Sequence, residues 1–127
     1  MEKIENEIAT IILDQAFKIH RELGPGLLES VYERCLEYEL IEAGLDVQTQ
    51  VPVRMNYKEI IFDQGFRMDL LVENKVIIEL KAVEKLAPVH YAQTMTYLKM
   101  TDLKLGLLLN FNVKLMKEGI HRVVNNL

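Results

Sequence analysis

Between Asp46 and Val83 the apolar residues recur at every second position, whereas before and after that stretch they recur every three to four. A strand-rich middle between helical flanks restricts the chain to an α+β or mixed α/β architecture. Upstream, Ile4, Ile8, Ile11, Ile12, Ala16 and Ile19 form a helical stripe over residues 3–22. Gly24-Pro25-Gly26 breaks it, and a second helix is predicted from about Leu27 to Ala43, with Gly44 placed to end it. Val47, Thr49, Val51 and Val53 then alternate with more polar neighbours, and Pro52 assigns this strand to a sheet edge. Residues 60–63, 67–72 and 76–83 read as further strands, with a turn at Glu73-Asn74-Lys75. Pro88 suits the first turn of a third helix running to about Met100. The continuous apolar run Leu105–Phe111 reads as a buried strand, and Ile120–Val124 as a last short one.

A chain of 127 residues is near the usual size of one domain, so a single domain over 1–127 is expected. The 15 basic and 19 acidic side chains leave a net charge of −4, which argues against a protein that coats nucleic acid by bulk electrostatics. An acidic site loaded with divalent metal escapes that exclusion, because the ions reverse the local sign. One cysteine, Cys35, excludes an internal disulfide and a multi-cysteine zinc site. The only serine, Ser30, lacks a nucleophile-elbow context, and His20, His90 and His121 lack metalloprotease spacing. No apolar run approaches the ~20 residues of a membrane span, and the first ten residues hold no secretory core. A soluble, cytoplasmic protein is the expectation.

The chemistry concentrates in residues 65–82. Glu79 and Lys81 are two apart on a strand and leave the same face, while Ile78 and Leu80 leave the other. A three-residue loop at 73–75 pairs Val72 with Val76, which sets Asp69 opposite Glu79 and Arg67 opposite Lys81. A loop one residue shorter would set Asp69 against Leu80 and dissolve the cluster. Facing carboxylates repel unless a proton or cation lies between them. A hard ion such as Mg²⁺ takes one or two carboxylates together with waters, and a neighbouring lysine suits orientation of water or stabilisation of phosphate charge. By spacing alone, a surface Glu/Lys pair on an ordinary hairpin is the commoner reading.

Asp69 followed by Glu79-Leu-Lys81 resembles the D…(D/E)xK signature of the PD-(D/E)XK nuclease superfamily, with Met68 in place of the signature's proline. Gly26-Leu-Leu-Glu29-Ser-Val-Tyr32 resembles the sequence that names the GxxExxY family within that superfamily. His90-Tyr-Ala-Gln93-Thr-Met-Thr-Tyr97-Leu98 and Gly106-Leu-Leu-Leu-Asn110-Phe111-Asn112 also resemble that family, so the likeness runs from about residue 5 to 124. It implies a restriction-endonuclease-like core: a mixed four-stranded sheet flanked by helices in αβββαβ order, with an extra N-terminal helix. It also implies a site in which Asp69, Glu79 and the main-chain carbonyl of Leu80 bind metal and Lys81 is the catalytic lysine. Glu29 matches an acid on the first core helix that touches the metal in exonuclease-like branches. Gln93 and Tyr97 match a helix motif that supports the site and contacts substrate phosphate.

Other candidates rest on position. Glu29 in a first helical turn is also what the helix dipole favours, and Tyr32 on the same face is expected to be structural. On the third helix Tyr91, Met95 and Leu98 form an apolar stripe, and His90, Gln93 and Tyr97 a second, polar-tipped one facing a cleft. His90 and Arg67 are candidates for phosphate contact. Glu33, Arg34, Glu37 and Glu42 read as the solvated side of the second helix. The expected function is a Mg²⁺- or Mn²⁺-dependent phosphodiesterase acting on nucleic acid, DNA before RNA, with any specificity coming from a second protomer or a partner protein. The alternative is a non-catalytic binding module that retains the nuclease fold.

Overall fold

Helices α1 (Glu5–Leu23) and α2 (Glu29–Glu42) open the chain in the computed structural model, which describes residues 3–63 and 65–127. The strands β1 (Val47–Pro52), β2 (Met55–Tyr57), β3 (Ile60–Phe62), β4 (Arg67–Val72) and β5 (Val76–Lys81) follow. Helix α3 (Pro88–Thr101), β6 (Leu105–Asn110), a 3-10 turn (Met116–Gly119) and β7 (Ile120–Val124) complete it. The main sheet has the order β1-β4-β5-β6-β7. Only the β5–β6 pair is parallel, because α3 carries the chain back to the starting end of the sheet.

Local rules account for the boundaries. Helix α2 stops in a Schellman arrangement: the Leu45 N–H bonds the Leu40 carbonyl at 3.1 Å and the Gly44 N–H bonds Ile41 at 2.9 Å. Gly44 takes φ 88°, which a side chain would resist, and Leu40 and Leu45 are both buried beneath the turn. Pro88 occupies the first turn of α3, where no N–H is needed. Pro52 lies on β1, an edge strand.

The two sheet faces bury different helices. Leu70, Val72, Val76, Ile78 and Leu80 join Ile8, Ile12, Ile19, Tyr32 and Leu36 from α1 and α2. Leu71 and Ile77 join Tyr97 and Leu98 from α3 and Val123 from β7. Glu79 and Lys81 share Ile77's parity on β5, so strand alternation directs them to the α3 side.

Two features depart from the sequence reading. The four-stranded core that the resemblance implies is extended by β7, the last short strand expected at Ile120–Val124, which pairs antiparallel to β6. The expected strand at 60–63 does not enter the main sheet; β3 pairs with β2 in a separate hairpin, with Met55 against Phe62 and Tyr57 against Ile60. Period-two alternation identifies a strand but not the sheet it joins.

Gly119 lies against β6. A Cβ there would fall 1.9 Å from the Asn110 carbonyl oxygen, a backbone atom that cannot yield. We expect Gly119→Ala to lower the unfolding free energy by about 1–3 kcal/mol, the usual cost of overpacking, as read from urea denaturation.

Candidate active site

The hairpin β4–β5 pairs Val72 with Val76, Leu71 with Ile77 and Leu70 with Ile78, the register that a three-residue loop dictates. Glu73 and Asn74 both take φ near +55°, which lets the chain reverse tightly enough to hold that register. One step further, Asp69 faces Glu79, and main-chain pairing gives way to side-chain bonds. The Asp69 N–H donates to Glu79 Oε1 at 3.2 Å, and the Leu80 N–H donates to Asp69 Oδ2 at 2.8 Å. Each carboxylate is therefore anchored by the main chain of the opposite strand.

Glu79 is 4 % exposed, yet no described cation pairs with it. Burial pushes its pKa up to about 9, and the negative charge of Asp69 adds to that shift, while Lys81 opposes it. Lys81 is half-buried, and its ammonium forms no ion pair within 4 Å among the described residues. The site thus holds two adjacent carboxyls and one uncommitted ammonium.

Neighbouring elements complete it from both sides. Tyr97 of α3, 2 % exposed, is raised in pKa by burial first and then by the charges of Glu79 and Asp69, which places its hydroxyl in their field. Gln93 Nε2 donates to that hydroxyl at 3.2 Å. Tyr97 therefore lies on the buried side of α3 together with Thr94 and Leu98, not on a separate second stripe. Arg67 is exposed at the start of β4. His90 Nδ1 accepts the Ala87 N–H at 3.0 Å, so this nitrogen caps the helix and only Nε2 is left to face outward.

Two residues in the site were not anticipated as functional. Gln50 on β1 stands opposite Asp69, between the pairs Thr49–Leu70 and Val51–Met68, and takes φ 50°. That left-handed turn in a non-glycine residue aims its amide at two acids: Nε2 lies 2.7 Å from Glu33 Oε1 and 3.5 Å from Asp69 Oδ1. Glu33 is half-buried, not solvated, and burial raises its pKa against the effect of the Gln50 bond. The signal was available, because Glu33 is four residues after Glu29 and shares its helix face. Glu29 itself is exposed at the first position of α2, in a shallow groove shared with Leu27, Leu28, Ser30 and Ala82. Its position borders the residue after Lys81, and no group of three His, Cys, Asp or Glu side chains among the described residues is arranged to hold a metal ion.

The segment beyond Lys81 is fixed by Asn110, which is 3 % exposed. Its Oδ1 accepts the N–H groups of Val83 at 3.1 Å and Asn112 at 3.2 Å, and its Nδ2 donates to the Val83 carbonyl at 2.9 Å. Phe111 N–H bonds the Lys81 carbonyl at 3.0 Å.

The donor set fits a hard divalent cation: two carboxylates without a cationic partner, all oxygen, held in place by main-chain donors. A mixed sheet flanked by helices, with such a pair on its central hairpin, defines a restriction-endonuclease-like fold. The family model of the PD-(D/E)XK nuclease superfamily matches residues 6–123, and the chain belongs to that superfamily. No curated protein and no solved structure gives a match. No described helix is long and apolar enough to cross a membrane.

Proposed function

We propose that the chain is a metal-dependent nuclease of the GxxExxY branch that hydrolyses phosphodiester bonds, DNA in preference to RNA. The observation that carries this reading is the Asp69–Glu79 pair, each acid anchored by the opposite strand and neither neutralised by a described cation. Asp69, Glu79 and the Leu80 carbonyl would hold Mg²⁺ or Mn²⁺, with Glu29 completing or orienting the shell. Such an ion lowers the pKa of bound water and offsets charge that develops on a phosphate.

The protein's own residues do the rest. Lys81 shares the face of Glu79 and orients the attacking water or stabilises the phosphate oxygens as negative charge grows. The buried Tyr97 hydroxyl accepts from Gln93 and so orients its amide, which faces the substrate phosphate, and Arg67 and the His90 Nε2 extend those contacts along the backbone. Gln50 bridges Asp69 and Glu33 by donating to both, which limits rotation of the Asp69 carboxylate. Sequence specificity, where present, would come from a second protomer or a partner protein.

The test is incubation of single- and double-stranded DNA and RNA with Mg²⁺, Mn²⁺ or chelator. We expect metal-dependent cleavage by the wild type and none by Glu79→Ala. Cleavage that persists in Glu79→Ala at the wild-type rate, or a wild type that neither cleaves nor binds divalent metal by calorimetry, would sink this reading.

A further inference from the structure

A groove of about 530 Å³ lies between the end of α1 and the segment after β6, and its chemistry is unlike that of the chain as a whole. Arg21, Lys114 and Lys117 line it together with His20, and no acid does, although the protein carries four more acids than bases. None of those three cations makes an ion pair or side-chain hydrogen bond with a described residue. Phe17 and Met116 supply an apolar floor. The groove is built rather than incidental: His20, 8 % exposed, bonds the Val113 carbonyl through Nε2 at 2.8 Å and so fixes the segment bearing Lys114.

The groove borders the end of the sheet at which β5 places Lys81. Lys81 pairs with Asn110 across β5 and β6, and the chain runs from Asn110 through Phe111 directly to Lys114. Phe111 stacks on Tyr32 with ring centroids 4.5 Å apart, and the Tyr32 hydroxyl donates to the Gly24 carbonyl at 2.6 Å. Gly24 and Pro25 form one wall of the basic groove, and the same loop continues into the shallow groove of Glu29 beside Ala82. The loop from Gly24 to Ser30 thus lines both the basic groove and the shallow groove that reaches Ala82, the residue after Lys81.

We propose that this basic groove binds the phosphate backbone of a nucleic-acid strand on the flank of the bond being cut. The inference rests on the nuclease reading and adds to it a second, remote binding subsite. Cations on an apolar floor suit such a strand, because the charges take phosphates while sugars and bases cover the aliphatic and aromatic surface. Distance from the carboxylates is useful, since a net-negative protein repels the polyanion that its site must process.

The test is fluorescence anisotropy of a labelled single-stranded oligonucleotide, and of its duplex, with the full chain in chelator so that no cleavage intervenes. Lys114→Glu/Lys117→Glu is expected to weaken binding by about tenfold or more and to reduce the salt slope by about 2, one for each phosphate that is no longer neutralised. The charge-matched control Lys99→Glu/Lys104→Glu alters exposed lysines away from the groove, Lys104 lying at the other end of β6 from Asn110, and should change affinity far less. Hydrolysis of bis(p-nitrophenyl) phosphate in Mn²⁺, a probe too small to reach the groove, should be unaffected by Lys114→Glu/Lys117→Glu. Affinity unchanged by that variant, an equal loss in the control, or absence of salt-sensitive binding in the wild type overturns the proposal. Failure of the nuclease reading is seen separately, as absence of metal-dependent cleavage while the anisotropy result stands.

Discussion

Glu79→Gln is expected to make the metal-free protein more stable at neutral and alkaline pH, while removing its response to divalent metal. In the folded state Glu79 keeps its proton up to about 9, against 4.5 for the ordinary group. Between those values the folded protein binds more protons than the unfolded chain, so stability must fall as pH rises through the window from about 4.5 to about 9. The cause is burial first and the Asp69 charge second, and both penalise the ionised carboxylate, a form that the neutral glutamine does not have. Wild type in chelator should therefore lose stability by several kcal/mol across that window, a loss that Glu79→Gln largely escapes. Added Mn²⁺ should raise the wild-type Tm, because an ion that binds only the folded state stabilises it, and should leave the variant unmoved. Thermal unfolding across pH, with and without metal, checks both halves. A wild-type Tm independent of pH over the window would remove the basis for a carboxyl pair that seeks a cation.

Lys81→Ala is expected to act differently on the same site. Its ammonium is not tied to Glu79 or Asp69, so its removal leaves the carboxylate anchoring bonds intact. Metal affinity by calorimetry should be near wild type or somewhat tighter, since a competing positive charge is removed. Single-turnover cleavage should fall by about 10²–10³-fold, the usual cost of deleting one preorganised group that stabilises transition-state charge. Lys81→Arg should restore little, because a planar fork does not replace a compact ammonium at the same point. Equal losses of metal affinity and cleavage would show instead that Lys81 holds the hairpin end together, a task the structure gives to Asn110 and Phe111.

The two variants separate what the hairpin does from what surrounds it, and that division follows how the site could be read. The register of the hairpin was legible on condition that the turn at 73–75 takes three residues, and the pairing of Val72 with Val76 meets that condition, because a strand has a fixed two-residue period and a given loop length leaves one pairing. The helices, their Gly44 and Pro88 boundaries and the edge position of β1 were legible for the same reason: each is decided within a few residues. The order of strands, the exclusion of β2 and β3 from the main sheet and the partner of β7 were not, since alternation carries no information about partners. Glu33 looked solvated because its surroundings on α2 are charged, and only the left-handed turn at Gln50, made across the sheet from Asp69, draws it inward.

The amino-acid order alone settled that Glu79 and Lys81 share one strand face, through a two-residue period that no distant contact can alter without breaking the strand, and Asp69 joins them once the turn at 73–75 takes three residues. The burial that holds the Glu79 proton, the Gln50 bridge between Glu33 and Asp69, and the meeting of Arg21 with Lys114 and Lys117 belong to the tertiary structure. Each depends on residues far apart in the chain, and desolvation and charge are set by what packing brings near, not by what precedes or follows in sequence.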